Sequence, residues 1–405
     1  MTGHNRPLPY GRHCIEADDI EAVTAVLRGD WLTTGPTVDA FERRLAERVG
    51  ARYAVACSSG TAALHLAALA LGLGDSDSVV VPSMTFSATA NGPRYTGADI
   101  RFSDVDPDTG LMRPEDLAAA LKAAGDAAPA AVFPVHLAGQ VADLPALRDI
   151  ANNVGMRVVE DASHAIGARY RVSGSSDWHE VGGCQHSDMA VFSFHPVKSI
   201  AMGEGGAVTT NDPALFERLR DLRTHGVSRD VERFEDRTAA FDAEGEVNPW
   251  YYELRELGFN YRASDIHCAL GFSQLGKLDR FIGRRAELVA HYDGRIGELA
   301  PIVAPLPRVP DCSPAWHLYV VLVDFEHLSQ DRGAVMRALR ERGIHTQVHY
   351  IPVHRLHYYR RHYGETFLPG ADRYYARTLS LPLFPDMEKS DVNRVIDSLA
   401  EVLGV

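Results

Sequence analysis

Short apolar runs alternate with Ala/Leu-rich, helix-spaced stretches from about residue 15 to residue 225. Residues 52–57, 78–82, 100–104, 131–135, 157–160 and 189–194 read as strands, and 61–71, 114–123 and 144–153 as helices. Several of the strand runs are apolar throughout, as a sheet covered on both faces requires. Regular strand–helix alternation predicts a mostly parallel central sheet in an α/β layer architecture. Residues 172–183 are rich in Gly, Ser and charge and read as a loop, and 228–248 form a polar, acidic stretch suited to a flap. After Ala263 a long helical pattern runs through Gly283 towards Leu299 and leads out of the first unit. Beyond it come a strand (316–325), a helix (332–342), a second strand (345–350) and helical patterns near 371–378 and 389–403. The expected division is a large domain, 1–275, and a smaller C-terminal α+β domain, 276–405.

The length of 405 residues fits two domains of roughly 100–200 residues each or slightly more. A net charge of −13 argues against a nucleic-acid backbone as the main partner, although a local basic pocket for a small phosphate remains open. The cysteines, Cys14, Cys57, Cys184, Cys268 and Cys312, are odd in number and contain no C-x-x-C pair. They predict neither a disulfide framework nor a zinc knuckle, and a reducing, cytoplasmic setting fits them. The segment Met1–Tyr10 lacks the apolar stretch of a signal peptide, and no run of about 18 apolar residues occurs, so no membrane association is expected.

Three local patterns carry chemistry. Ser58-Ser59-Gly60-Thr61 follows a strand and opens an Ala/Leu-rich helix. A helix N-terminus offers unpaired N–H groups to a phosphate, and Gly60 admits close approach, but Ser and Thr are also ordinary N-cap residues. A strand ends at Glu160-Asp161, where ligands of open α/β sheets bind, and Asp161 could pair with a protonated ring nitrogen or simply cap a helix. Lys198 follows a buried-looking strand by a short turn and precedes the glycine-rich run Gly203–Gly206. A lysine there loses its proton cheaply and attacks carbonyls, whereas a lone surface lysine would do nothing.

In order and spacing these patterns resemble fold-type-I pyridoxal-phosphate enzymes, and in detail the nucleotide-sugar aminotransferases. The likeness extends from Leu8 to about Pro385. It rests on Trp31-Leu32-Thr33-Thr34-Gly35-Pro36, Ser59-Gly60-Thr61-Ala62-Ala63-Leu64, Pro82-Ser83-Met84-Thr85-Phe86, Pro134-Val135-His136, Glu160-Asp161-Ala162 and Gly258-Phe259-Asn260-Tyr261-Arg262. The resemblance implies pyridoxal 5'-phosphate as cofactor, with pyridoxamine phosphate as its aminated form. It implies Lys198 as the Schiff-base lysine and proton shuttle, and Asp161 as the partner of the ring nitrogen. Phe86 would stack on the ring, Gly60, Thr61 and Ser193 would hold the phosphate, and His164 would lie near the ring oxygen. Asn260 would reach the phosphate from a second subunit, which implies a homodimer with shared active sites. The segments Ser193–Lys198, His349–His354, Tyr10–Arg12 and Asp30–Thr33 are similar to the branch that makes 4-amino sugars for pseudaminic acid. There the substrate is a UDP-linked 4-keto-6-deoxy-N-acetyl hexose and the donor is glutamate. Ser199-Ile200-Ala201-Met202 departs from that branch and leaves the sugar open.

Among the 18 histidines, His345, His349, His354 and His357 cluster. The first two are four apart on a strand-like segment, not on a helix face, so no metal site is expected. Arg355, Arg360 and Arg361 read as a solvated face or as contacts to a diphosphate, and Met84 and Phe102 as core. Two rivals share the fold: a sugar dehydratase, which typically carries His in place of the lysine, and a non-catalytic regulator, which usually bears an added DNA-binding domain. Lys198 counts against the first, and Lys198 and Asp161 together against the second, and no extra N-terminal segment is expected to hold such a domain.

Overall fold

The computed structural model describes residues 6–125 and 127–405. The remainder, including the first half of the Met1–Tyr10 segment, lies outside the described residues. In chain order the first half contains α1 (Ala17–Arg28), α2 (Pro36–Val49), β1 (Tyr53–Cys57), α3 (Gly60–Ala70), β2 (Ser78–Pro82), α4 (Ala88–Arg94), β3 (Asp99–Ser103), α5 (Pro114–Ala124), β4 (Ala131–Val132), α6 (Leu144–Val154), β5 (Arg157–Asp161), β6 (Arg169–Arg171), β7 (Trp178–Glu180) and β8 (Met189–Ser193). The second half contains β9 (Gly206–Thr210), α7 (Pro213–Arg223), β10 (Val227–Ser228), α8 (Arg237–Ala240), β11 (Glu253–Leu254), α9 (Asp265–Leu275), α10 (Leu278–Ile296), β12 (Val303–Pro305), β13 (Cys312–Ser313), β14 (Tyr319–Val323), α11 (Arg332–Glu341), α12 (His357–Tyr363), α13 (Pro369–Arg377), β15 (Thr378–Leu381) and α14 (Lys389–Leu403).

Seven strands form the central sheet in the order β1-β9-β8-β5-β4-β2-β3. β9 runs antiparallel to both its neighbours and the other adjacent pairs are parallel, so the expected mostly parallel α/β sheet is present. Strand parity sorts the core. Val55 and Cys57 pack into one apolar cluster with α3, α4 and α7, while Ala54 and Ala56 face a second cluster built on α2 and α9. Val79 and Val81 share the first cluster, and Val80 turns to the opposite face against Leu117 and Leu147. Both faces are covered, which accounts for the uniformly apolar strands. A further cluster joins β12, β14 and β15 to α10, α11 and α14, and Leu8 of the N-terminal segment inserts into it. The Trp31–Pro36 motif leads into α2, whose first turn is capped by the fully buried Asp265: its carboxylate accepts from the N–H groups of Gly35 (2.8 Å) and Thr37 (3.0 Å). Among the described residues no helix is long and apolar enough to cross a membrane.

Four details depart from the sequence reading. The strand expected over 131–135 keeps its ladder only to Val132, because Pro134 has no N–H to donate; Val135 then makes an isolated bridge to Asp161. The supposed loop 172–183 contains β7, paired antiparallel to β6. The long helix after Ala263 is two helices, α9 and α10, broken at Gly276 and Lys277. Residues 345–350 make one isolated bridge, from Gln347 to Ser380, and not a strand; the neighbour of β14 is β15, which the sequence reading missed at the end of α13.

The sheet also fixes the loop before α3. Gly206 pairs with Cys57 and Ser193, and a Cβ there would lie 2.4 Å from the Ser59 carbonyl carbon and 2.7 Å from the Gly60 nitrogen. These are main-chain atoms and cannot swing aside. Gly206→Ala is therefore expected to lower the unfolding free energy by about 1–3 kcal/mol. Urea denaturation checks this, and an unchanged midpoint and slope would contradict it.

Candidate active site

β1, β2, β5 and β8 all point the same way, so their C-terminal ends share one edge of the sheet. At that edge lies a cleft of about 550 Å³. It is lined by Gly60 and Thr61 after β1, Phe86 after β2, Asp161 at the end of β5, Ser193 at the end of β8 and Lys198 in the following turn. His164 lines it too. Seven of the eight residues singled out in the sequence thus meet in one cavity. Asn260 does not: it is exposed, bridges Thr224, and is not among the residues lining the cleft.

Asp161 is almost fully buried and held from two sides. One oxygen accepts from the Thr89 hydroxyl at 2.6 Å and the other from the Ser163 N–H at 3.1 Å. Since the Thr89 hydrogen is committed to Asp161, Thr85 donates to Thr89 across 2.7 Å. The preceding residue, Glu160, points the opposite way, as strand geometry dictates. It accepts from Ser187 at 2.5 Å and from the His136 ring at 3.1 Å, and His136 in turn accepts the Ala142 N–H through Nδ1. Two adjacent acids therefore do different things: one braces the interior, the other faces the cleft.

Lys198 is positioned by a tight turn in which its N–H donates to the His195 carbonyl at 2.8 Å. The flanking chain is tied back by Phe194 N–H to Gly205 and by Met202 N–H to Phe194, both at 2.9 Å. Burial pulls the Lys198 ammonium down to about 8, against the opposing pull of the Asp161 charge. A far larger share of the amine than on a surface lysine is consequently neutral, and nucleophilic, near neutral pH.

At the other end of the cleft, the Ser59 hydroxyl caps α3 by accepting the Ala62 N–H at 3.1 Å. The earlier N–H groups of the first turn have no intrahelical partner and suit an anion. Gly60 presses against Ser193, where a Cβ would stand 2.8 Å from the Ser193 Cβ, so the glycine lets the helix start lie against the strand end. Phe86 leaves 57% of its surface exposed, an aromatic face open to the cleft. A carboxylate opposite an amine, an open aromatic face and a helix start beside two hydroxyls form a donor set that fits a planar pyridinium ring carrying a phosphate, and so fits pyridoxal phosphate.

The sequence reading did not single out Tyr350 or His317 for the site, nor Thr89. Tyr350 enters on the segment 345–356, which docks on the Pro82–Phe86 motif: Val353 N–H donates to the Ser83 carbonyl at 2.8 Å, and the Ser83 hydroxyl meets the His354 ring at 2.5 Å. The Tyr350 ring lies 5.8 Å from that of Phe86, and its hydroxyl is 3.0 Å from His164 Nε2. His164, His317 and His349 are all buried, and burial beside Lys198 keeps each of them neutral, His349 down to about 3. The sequence signals near this wall were the histidine-rich run and the family-like segment His349–His354, and neither pointed to His317 or Thr89.

The sequence profile of the DegT/DnrJ/EryC1/StrS aminotransferase family matches residues 13–400. The chain is 39% identical over 404 residues to the spore coat polysaccharide biosynthesis protein SpsC of Bacillus subtilis, covering 98% of each. Helicobacter pylori PseC, an aminotransferase involved in the biosynthesis of pseudoaminic acid, superposes with a TM-score of 0.85 at 27% identity, covering 98% of this chain and all of that one (100%). The PLP form of Spr1654 from Streptococcus pneumoniae superposes at 0.84 with 26% identity, covering 98% of this chain and 99% of that one.

In the cofactor-free protein, acylation of Lys198, followed peptide by peptide with mass spectrometry across pH, is expected to show a midpoint near 8. Asp161→Asn removes the charge that raises this midpoint and should move it lower. A midpoint in the ordinary lysine range, or an upward shift in the variant, would contradict the electrostatics described.

Proposed function

Because this chain belongs to the DegT/DnrJ/EryC1/StrS aminotransferase family, we propose that it transfers an amino group from glutamate to the keto carbon, C4, of a nucleotide-linked 4-keto-6-deoxy sugar. The sugar is proposed to be UDP-linked and N-acetylated, in a pathway to cell-surface or secondary-metabolite sugars and in a cytoplasmic setting. The likeness to PseC, and to SpsC in the same size range, supports the sugar class. The observation that carries the reading is the pairing, in one cleft, of a lysine amine drawn down towards neutrality with a buried carboxylate. A dehydratase of this fold would carry histidine at Lys198, and a non-catalytic regulator has no use for a lysine held near neutrality.

Pyridoxal phosphate, when bound, supplies the carbonyl that exchanges amino groups and the ring that takes up electrons from the reacting carbon. Lys198 is assigned the proton: its amine, titrating close to neutral pH, accepts a proton from one carbon and returns it to another. Asp161, fixed by Thr89 and Ser163, would pair with the ring nitrogen and favour its protonated form. Phe86 gives a stacking face and Gly60, Thr61 and Ser193 the phosphate cradle, while His164 stands near the ring oxygen. The proposed division into 1–275 and 276–405 is supported by the separate apolar cluster of α10, α11 and α14, although Leu8 joins that cluster from the other end of the chain.

Two further elements belong to the proposal. One is a homodimer with shared sites, in which Asn260 completes the phosphate cradle of the second chain. It is supported by the exposure of Trp31, Leu32, Trp250, Leu257 and Phe259, with Leu257 and Phe259 just ahead of Asn260 in sequence. The other is the absence of nucleic acid and membrane from its partners, supported by the net charge of −13.

Incubation with glutamate and a panel of UDP- and TDP-linked keto-sugars, read by mass spectrometry, is expected to yield an amino sugar. Lys198→Ala should lose that product by several orders of magnitude while keeping the circular dichroism of the fold; product formation near the wild-type rate would remove Lys198 from the mechanism.

Mixing inactive Lys198→Ala and Asn260→Asp chains, under conditions of subunit exchange, should restore part of the activity. A mixed dimer has one site with both defects and one with neither. A fully active Asn260→Asp variant, or monomers alone in light scattering at micromolar concentration, would sink the shared-site arrangement.

A further inference from the structure

Hydrogen-bond directions in the wall opposite Phe86 can be followed atom by atom. The Ala138 main-chain N–H points at His164 Nδ1 across 3.3 Å, so Nδ1 is an acceptor and carries no hydrogen. His164 is 5% exposed, with Lys198, His317 and His349 as its ionisable neighbours, and is neutral. A neutral ring bare at Nδ1 has its hydrogen on Nε2, and that N–H faces the Tyr350 oxygen at 3.0 Å. Tyr350 therefore accepts from His164, and its own hydrogen must be used elsewhere. The side chain lines the cleft beside Lys198, Phe86 and His349.

We propose that His164 and Tyr350 form a one-way hydrogen-bond relay that makes the Tyr350 hydroxyl a donor to an acceptor oxygen of the ligand bound beside Lys198. Tyr350 is the contacting group, and His164 is a positioning residue. The inference rests on the aminotransferase reading. The oxygen belongs either to the cofactor ring or to the ketone of the sugar, and both are electron-rich acceptors. The relay explains why a neutral histidine is kept at this place: a residue that only accepts would draw the phenol hydrogen away from the cleft.

The test uses holoenzyme variants that differ in direction at similar size. In His164→Gln the amide oxygen can take the Ala138 N–H while the amide nitrogen donates to Tyr350, preserving the relay. In His164→Glu the carboxylate only accepts and turns the phenol inward. Tyr350→Phe deletes the donor. The two half-reactions, with glutamate and with the keto-sugar, are followed separately by the absorbance of the bound cofactor, together with the pH midpoint of its spectrum. If the ring oxygen is the acceptor, the midpoint moves in Tyr350→Phe and His164→Glu alike. If the ketone is the acceptor, the sugar half-reaction slows about tenfold or more in both, with the midpoint unmoved. In either case His164→Gln retains the larger share of the wild-type property. The relay is overturned if Glu and Gln at 164 behave alike in variants with native melting curves, or if Tyr350→Phe alters neither the midpoint nor the sugar half-reaction. Failure of the wild type to aminate any sugar would instead count against the aminotransferase reading, and the spectral midpoint would still report on the relay.

Discussion

Taking an amine out of water makes it give up its proton more readily, and a negative charge beside it pulls the other way. The cleft brings both effects together in one cavity. Apolar walls lower Lys198, while Thr89 and Ser163 fix the Asp161 charge, which by itself would raise the lysine. The observed poise is the difference between two opposing effects, and much of the surrounding structure serves to hold those effects at a set distance. The sheet supplies Asp161 from a strand end, and a turn tied at His195 and Phe194 supplies Lys198. Thr89 comes from α4, and Thr85 orients it.

The cleft is closed by a part of the chain remote in sequence. Residues 345–356 are held by Ser83 at one end, where His354 and Val353 bond to it, and by Ser380 at the other, which meets the His349 ring at 2.8 Å and exchanges main-chain bonds with Gln347. Tyr350 hangs between these anchors, and its N–H approaches the Met84 sulfur at 3.4 Å. The segment is thus a brace from β15 to the loop after β2. Packing of the C-terminal sheet is thereby coupled to the wall of the cleft.

How much of this was legible in the sequence depended on distance along the chain. The cradle at Gly60, the strand-end Asp161 and the turn lysine are local strand–turn features, and their residue types declare them. Strands buried on both faces were equally plain, since a short strand is apolar at every position only when neither face meets water. Thr89 was not legible as a partner of Asp161, 72 residues away, because an ordinary threonine in a short helix carries no signal until the sheet brings the two together. The same holds for Tyr350, 186 residues from His164. The histidine-rich run divides in space: His349 and His354 lie close in sequence but face Ser380 and Ser83 respectively. The strand read over 345–350 did not form: the segment meets β15 only at Gln347 and Ser380, and residue types alone do not say how far such a pairing extends.

The adjacent acids at the end of β5 put an unusual condition on inheritance. Glu160 and Asp161 differ by one methylene and occupy opposite faces of one strand, the first locked to His136 and Ser187, the second turned to the cleft. Point substitution could exchange their identities with little change in volume. A single-residue insertion or deletion between α6 and the end of β5 would do more, because it would rotate the strand's faces, swing the longer acid into the cleft and strand the shorter one against His136. The short connection from Val154 to Arg157 is therefore expected to vary in composition among descendants of this gene while staying constant in length.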